Sequence, residues 1–255
     1  MLTLAFAEGT RPDREAVLDL AGAEGGGPRF AASHLPDPGE GWFELLASGL
    51  TFDCRGLAPA QAEPLPAHEA LLGLEHPPRG EAIALTPGPH LAEAAGMLPV
   101  IRVLAGIGAT IARLPGAQAA AWNPARCWMS AAYFRKVVGN WLAGGPFPAL
   151  GLTSLQREGN GSMQTVGLAL LTGQELVFAP DRRLGPADMA RIAVRLIHAA
   201  ILGGQCPVHG KARMGDRRLR RERAALWQKS RAASSATRLS PARIALMASG
   251  SSAEP

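Results

Sequence analysis

The chain predicts an α+β protein, with mostly antiparallel sheet and helices packed on one side. Three observations carry that expectation. The 30 glycines and 21 prolines among 255 residues favour short elements over long helices. The N-terminal half orders its apolar runs as strand, helix, strand, strand, strand. The C-terminal half mixes strands and helices in a similar rhythm, as two related halves would, without a repeat at a fixed period.

Leu2–Ala7 alternates as a first strand. Pro12 fits the first turn of a helix whose apolar face is Ala16, Val17, Leu20 and Ala21. Residues 29–33, 42–46 and 51–55 read as short strands between Pro/Gly turns. Residues 58–79 are Pro-rich and predict a connector, the best internal boundary. Glu81–Leu85 then starts a new strand. Leu91, Ala94, Ala95, Leu98, Ile101, Leu104, Gly108 and Ile111 recur at helical spacing; Pro99 among them predicts a kink or a fresh helix start. Gln118–Trp122 is a buried-strand candidate. Ser130 predicts the N-cap of a helix over 131–143, with Met129 and Phe134 as a hydrophobic staple. Residues 150–156 and 163–171 predict a hairpin about Asn160-Gly161, and Leu176–Phe178 a further strand. Pro186 and Asp188 open a last helix that buries Met189, Ile192, Ala193, Leu196 and Ala200 and leaves His198 solvated beside Arg191 and Arg195.

This organisation gives an N-terminal half (1–57), the connector (58–79), a C-terminal half (80–203) and a tail (204–255). The tail's basic, Ser/Ala-rich composition predicts that it is largely disordered. The basic pI belongs to that tail: residues 203–255 hold 11 Lys/Arg against 3 Asp/Glu, and residues 1–202 hold 15 against 18. No acid occurs between Glu93 and Glu158. The middle of the chain therefore offers no carboxylate pair, carboxylate metal ligand or ribose-binding acid.

Several function classes are set aside. The three cysteines, Cys54, Cys127 and Cys206, are far apart and odd in number, which predicts no disulfide framework and a reducing, cytoplasmic setting. The N-terminus lacks the basic region of a signal peptide. The longest uncharged run, 137–156, is broken by Gly144, Gly145, Pro146 and Pro148, so no membrane span is expected. There is no P-loop and no GxSxG elbow. Gly106 and Gly108 begin like a dinucleotide loop, but Ile111 replaces its third glycine and the later acid is missing. They read as helix-packing glycines. Cys206 and His209 make half of a zinc site at most, so neither metal nor cofactor is expected.

Three sets of residues remain. Arg126, Arg135 and Lys136 flank the start of the Ser130 helix, where cations near a helix N-terminus suit a small anion. Arg217, Arg218, Arg220, Arg221 and Arg223, with Trp227, suit nucleic acid or another polyanion. A dispersed enzyme site would draw on His90 with Glu93, or on Cys127 with Arg126 lowering its pKa; a helix entry and a packing thiol are the plainer readings.

The strand ending in Trp122-Asn123-Pro124, the aromatic helix after it and the closing segment VGLALLTGQELVF carry a resemblance. Over residues 81–178 the chain resembles a bacterial domain family of unknown function. The resemblance implies a bacterial α+β protein and brings no catalytic residues. In it, Gly167 and the Gly173-Gln174-Glu175-Leu176 run read as a fold signature. The expectation is a non-enzymatic module that binds a partner protein or a small anion. The alternatives are polyanion binding through the tail and an enzyme with a dispersed site.

Overall fold

A computed structural model describes residues 1–22, 27–180, 185–203 and 244–247. In chain order its elements are β1 (Leu2–Phe6), α1 (Arg14–Leu18), β2 (Phe30–His34), β3 (Trp42–Ala47), β4 (Leu50–Arg55), β5 (Ala70–Leu72), β6 (Glu81–Pro87), α2 (Leu98–Ile111), β7 (Ala117–Trp122), β8 (Cys127–Ser130), α3 (Ala131–Leu142), α4 (Ala149–Leu152), β9 (Ser154–Arg157), β10 (Met163–Val166), α5 (Ala169–Thr172), β11 (Glu175–Phe178), α6 (Pro186–Gly203) and β12 (Ile244–Met247). The fold is α+β, as the sequence predicts.

Eight strands form one sheet in the order β2-β3-β4-β6-β1-β7-β8-β5. All neighbours are antiparallel except β5 and β8. β1 lies between β6 and β7, so strands from both sides of the Pro-rich segment share this sheet. Residues 58–79 are therefore not a bare connector between two sheets: Ala70–Leu72 pairs with Cys127–Met129 at the sheet edge. A smaller antiparallel sheet, β12-β11-β10-β9, follows. Most of the tail, 204–243 and 248–255, lies outside the described residues; β12 pairs with β11.

Alternation along β1 decides which layer covers each face. Leu2, Leu4 and Phe6 point into the main core with Phe43, Phe52, Ile83, Leu85 and Phe134, all fully buried. Each such side chain contributes about 1.5–3 kcal/mol on leaving water. α2 and α3 cover this face. Gly108 permits the approach, since a Cβ there would stand 2.1 Å from Leu2 Cδ2, so Gly106 and Gly108 are packing glycines. Pro99 sits in the first turn of α2, and the helix starts there without a kink. Ser130 Oγ accepts from the Tyr133 amide at 3.2 Å and caps α3, between buried Met129 and Phe134.

The opposite face carries Ala5, Ala119, Ala121 and Trp128 and is covered by the Pro-rich segment through Leu65, Leu71 and Leu74. Trp128 Nε1 donates to the Pro66 carbonyl at 3.2 Å. His68 Nε2 donates to Asn123 Oδ1 at 3.2 Å, and Asn123 Nδ2 donates to Thr3 Oγ1 at 3.1 Å. Arg11 closes the other end of the strap. It donates to Glu81 at 3.1 Å, to the Ala60 carbonyl at 2.7 Å and to the Gly56 carbonyl.

His198 departs from expectation. It is half-buried, and its Nε2 donates to the Phe147 carbonyl at 2.7 Å, so it ties α6 to the 147–152 turn. α6 buries Ala193, Ile197 and Ala200, a face rotated slightly from the one the apolar spacing predicts.

Candidate functional site: the uncovered face of β2, β3 and β4

The strap seals the β1, β7 and β8 side of its face and reaches β6, where the Glu63 amide donates to the Ala82 carbonyl at 2.9 Å. Across β4, β3 and β2 the same face is left partly open: Arg55 and Leu46 are exposed, Trp42 and Glu44 half-buried and Asp53 buried. Register places Thr86, Asp53 and Glu44 in one row, and Arg55 and Trp42 in the next. Leu46, opposite Thr51, is 42% exposed there. Arg55 donates to buried Asp53 at 2.9 Å, and its guanidinium lies 5.4 Å from the Trp42 ring centroid. His34 lies 5.6 Å from the same ring. Ser33 Oγ donates to Glu44 at 2.6 Å. Hydrogen bonds from Ser33 and Thr51, with His90 and His34 nearby, hold the Glu44 carboxyl below the usual carboxylate range, so it is ionised at neutral pH.

Trp42 also borders a shallow cleft of about 170 Å³ between residues 13–15, the turn at 38–41 and residues 57–59. The backbone builds this cleft. The Ala58 amide donates to the Pro12 carbonyl at 3.0 Å, joining two of its walls. Arg14 donates to the Pro36 carbonyl at 2.7 Å and fixes the third. Trp42 Nε1 donates to Glu40 at 3.2 Å. Charge here is unbalanced: residues 1–57 hold nine acids, four arginines and no lysine. Two of those arginines, Arg11 and Arg55, are already in ion pairs.

The residues singled out by sequence fall elsewhere. Arg126, Arg135 and Lys136 are all exposed. Arg126 precedes β8 and Ser130 ends it, so a four-residue strand, roughly 13 Å long, separates that arginine from the start of α3. Arg135 and Lys136 lie one turn into the helix. The tail arginines 217, 218, 220, 221 and 223, with Cys206 and His209, lie outside the described residues.

Cys127 is 1% exposed, packed in the core that also holds Trp122, and burial pushes its thiol up to about 11. Arg126 does not lower it: the arginine points to solvent while the thiol pays for desolvation. Cys54 is buried as well, and desolvation with the Asp53 charge raises its pKa. His90 is exposed, 3.5 Å from Thr51 Oγ1, and Glu93 is exposed. Among the described residues no group of three or more His, Cys, Asp or Glu is placed to hold a metal ion, and no helix is long and apolar enough to cross a membrane.

Sequence reasoning missed this face because its residues are scattered over residues 13 to 90. The excess of acids in the first 57 residues was the signal available. Comparisons with family models, with curated proteins and with solved structures return no match.

Proposed function

We propose that this protein is a non-enzymatic module that binds a partner protein across the uncovered face of β2, β3 and β4. One observation carries the reading: a single sheet face is sealed by the strap over one half and left open over the other. The open half presents Trp42 and Arg55, residue types that anchor interfaces, beside exposed Leu46 and a polar rim. β2 is also a sheet edge, with backbone groups able to pair with an added strand. The solvent-exposed His90 and the buried, inert thiols favour binding over catalysis. The exposed, separated Arg126, Arg135 and Lys136 favour a protein partner over a small anion.

The test is photo-crosslinking in the full chain from a benzophenone residue at Leu46, with Glu158 as control position. The captured protein is then purified and its affinity measured directly. Trp42→Ala with Leu46→Glu is expected to weaken that affinity about tenfold or more. Equal capture from both positions, or an affinity indifferent to the substitutions, defeats the reading.

The segregation of charge favours a second reading, polyanion binding through the tail. Full-length protein with Arg217, Arg218, Arg220, Arg221 and Arg223 changed to Gln then loses affinity for mixed-sequence DNA or RNA. Its salt slope falls by about one for each phosphate contact removed. An unchanged slope removes this reading.

A further inference from the structure

The cleft beside Trp42 has a shape and charge that narrow what it accepts. At about 170 Å³ it is smaller than the roughly 300 Å³ at which small-molecule pockets begin. A nucleotide or an organic cofactor is too large for it, and a single extended side chain is the right scale. Pro38, Pro59 and Trp42 give it apolar walls along which an aliphatic stem packs. Asp13 and Glu15, both exposed, stand on another wall, and the Glu40 carboxylate sits at the indole nitrogen. The one cation among the lining residues, Arg14, already donates to the Pro36 carbonyl. Carboxylates thus outnumber it, and an anionic guest meets like charge.

Trp42 belongs to both surfaces. Its side chain lies on the uncovered face, in register with Arg55, and it lines the cleft. A segment crossing β3 next to Leu46 and Glu44 passes the cleft mouth.

We propose that the cleft takes one lysine or arginine side chain of the partner, its stem against Trp42, Pro38 and Pro59 and its charged head at Asp13 and Glu15. This rests on the partner-binding reading and gives the partner its chemistry: a basic, extended protein segment. Glu44, on the neighbouring face of β3, supplies a third carboxylate to the same segment.

The test uses full-length protein and two tripeptide probes, acetyl-Ala-Arg-Ala-amide and its neutral isostere acetyl-Ala-citrulline-Ala-amide. The readout is the indole N–H NMR signals of the five tryptophans, with that of Trp42 assigned by Trp42→Phe. The arginine probe is expected to shift the Trp42 signal in a saturable way and to leave those of buried Trp122 and Trp128 in place. The citrulline probe is expected to do neither. Asp13→Asn with Glu15→Gln abolishes the shift; asparagine caps α1 as aspartate does, so the fold is kept. Glu158→Gln leaves the shift intact. A still Trp42 signal, an equal response to citrulline, or a shift that survives the double substitution overturns the proposal. The two readings fail separately. Crosslinking at Leu46 without charge discrimination in the cleft removes only this inference. A charge-selective cleft without a partner at Leu46 removes the wider reading and leaves of this inference only the cleft's preference for a basic side chain.

Discussion

Glu175 accepts a hydrogen bond from the Gly167 amide at 2.8 Å, across the turn that joins β10 to β11. The same carboxylate accepts from the Ala169 amide at 3.0 Å and from Thr165 Oγ1 at 2.5 Å. One acid thereby holds the turn that lays Gly167 on the backbone of Pro124 and Ala125. Ser154 Oγ adds a bond to the Ala125 carbonyl at 2.6 Å. The glycine and glutamate of the TVGLALLTGQELVF segment thus join the small sheet to the end of β7. Their role in the structure is architectural.

Gly167 and Gly173 test that account as a pair. Both have positive φ, +89° and +80°. A Cβ on Gly167 would meet Pro124 and Ala125 backbone atoms at 2.9 Å, whereas one on Gly173 meets nothing within 4 Å. Gly173→Ala should cost only the left-handed conformation, about 1–2 kcal/mol. Gly167→Ala should cost clearly more, about 3 kcal/mol or above. Glu175→Ala should fall near 2–3 kcal/mol, since two backbone donors lose a charged acceptor. Urea unfolding of the three variants checks the order; equal costs for the two glycines would show that the 124–125 contact is not what fixes Gly167.

Burial makes a chemical prediction for the thiols. In a Cys206→Ser background, iodoacetamide should modify neither Cys54 nor Cys127 in the native protein at neutral pH, because both are buried and carry raised pKa values. Both should react once the chain is unfolded in urea. Fast native alkylation of Cys127, followed by mass spectrometry, would return it to the list of candidate nucleophiles.

The uncovered face predicts a pH effect. Glu44 has a folded-state pKa below its ordinary value of 4.5, chiefly through Ser33 and then Thr51. A depressed carboxyl contributes stability that is present above the unfolded pKa and is lost as pH falls through the folded one. Ser33→Ala should move the Glu44 titration, followed by carbon NMR of its carboxyl, up towards 4.5. Glu44→Gln should flatten the loss of stability below that pH. A Glu44 midpoint unmoved by Ser33→Ala would place the cause outside the Ser33 bond.

Local chemistry made much of this fold legible, and the exceptions share a cause. Alternation revealed β1, Pro/Gly turns bounded the short runs of β3 and β4, and capping revealed α3, because each signal lies within or directly beside the segment itself. β8 was hidden: Cys127, Trp128 and Met129 are all buried, split between the two faces, so no alternation marks them. β5 was hidden among prolines, since its pairing depends on Trp128 and its neighbours more than 50 residues away. His198 was read from its helix neighbours, but its acceptor is the distant Phe147 carbonyl. The candidate site was the least legible part. Nothing local to Trp42 shows that the strap leaves its face of the sheet partly open, or that Asp13 and Pro59 close beside it.

Trp122 and Trp128 complete the predictions with a contrast between two equally buried indoles, each 1% exposed. Trp128 Nε1 donates to the Pro66 carbonyl, and among the described residues Trp122 Nε1 has no acceptor. An unsatisfied buried donor costs about 1–3 kcal/mol. Replacing Trp122 by Phe removes that penalty and opens a small cavity of opposing sign, so the two effects should leave stability within about 1 kcal/mol of wild type. Trp128→Phe opens a similar cavity, removes one of the two donors to the Pro66 carbonyl, which keeps the His68 amide at 3.0 Å, and loosens the strap where Leu65, Leu71 and Leu74 pack. It should cost about 2 kcal/mol more than Trp122→Phe. Hydrogen exchange should report the loss locally, as faster exchange at Leu71 and Leu72 with α3 unchanged. Equal destabilisation by both variants would mean that an acceptor, such as an internal water, already serves Trp122.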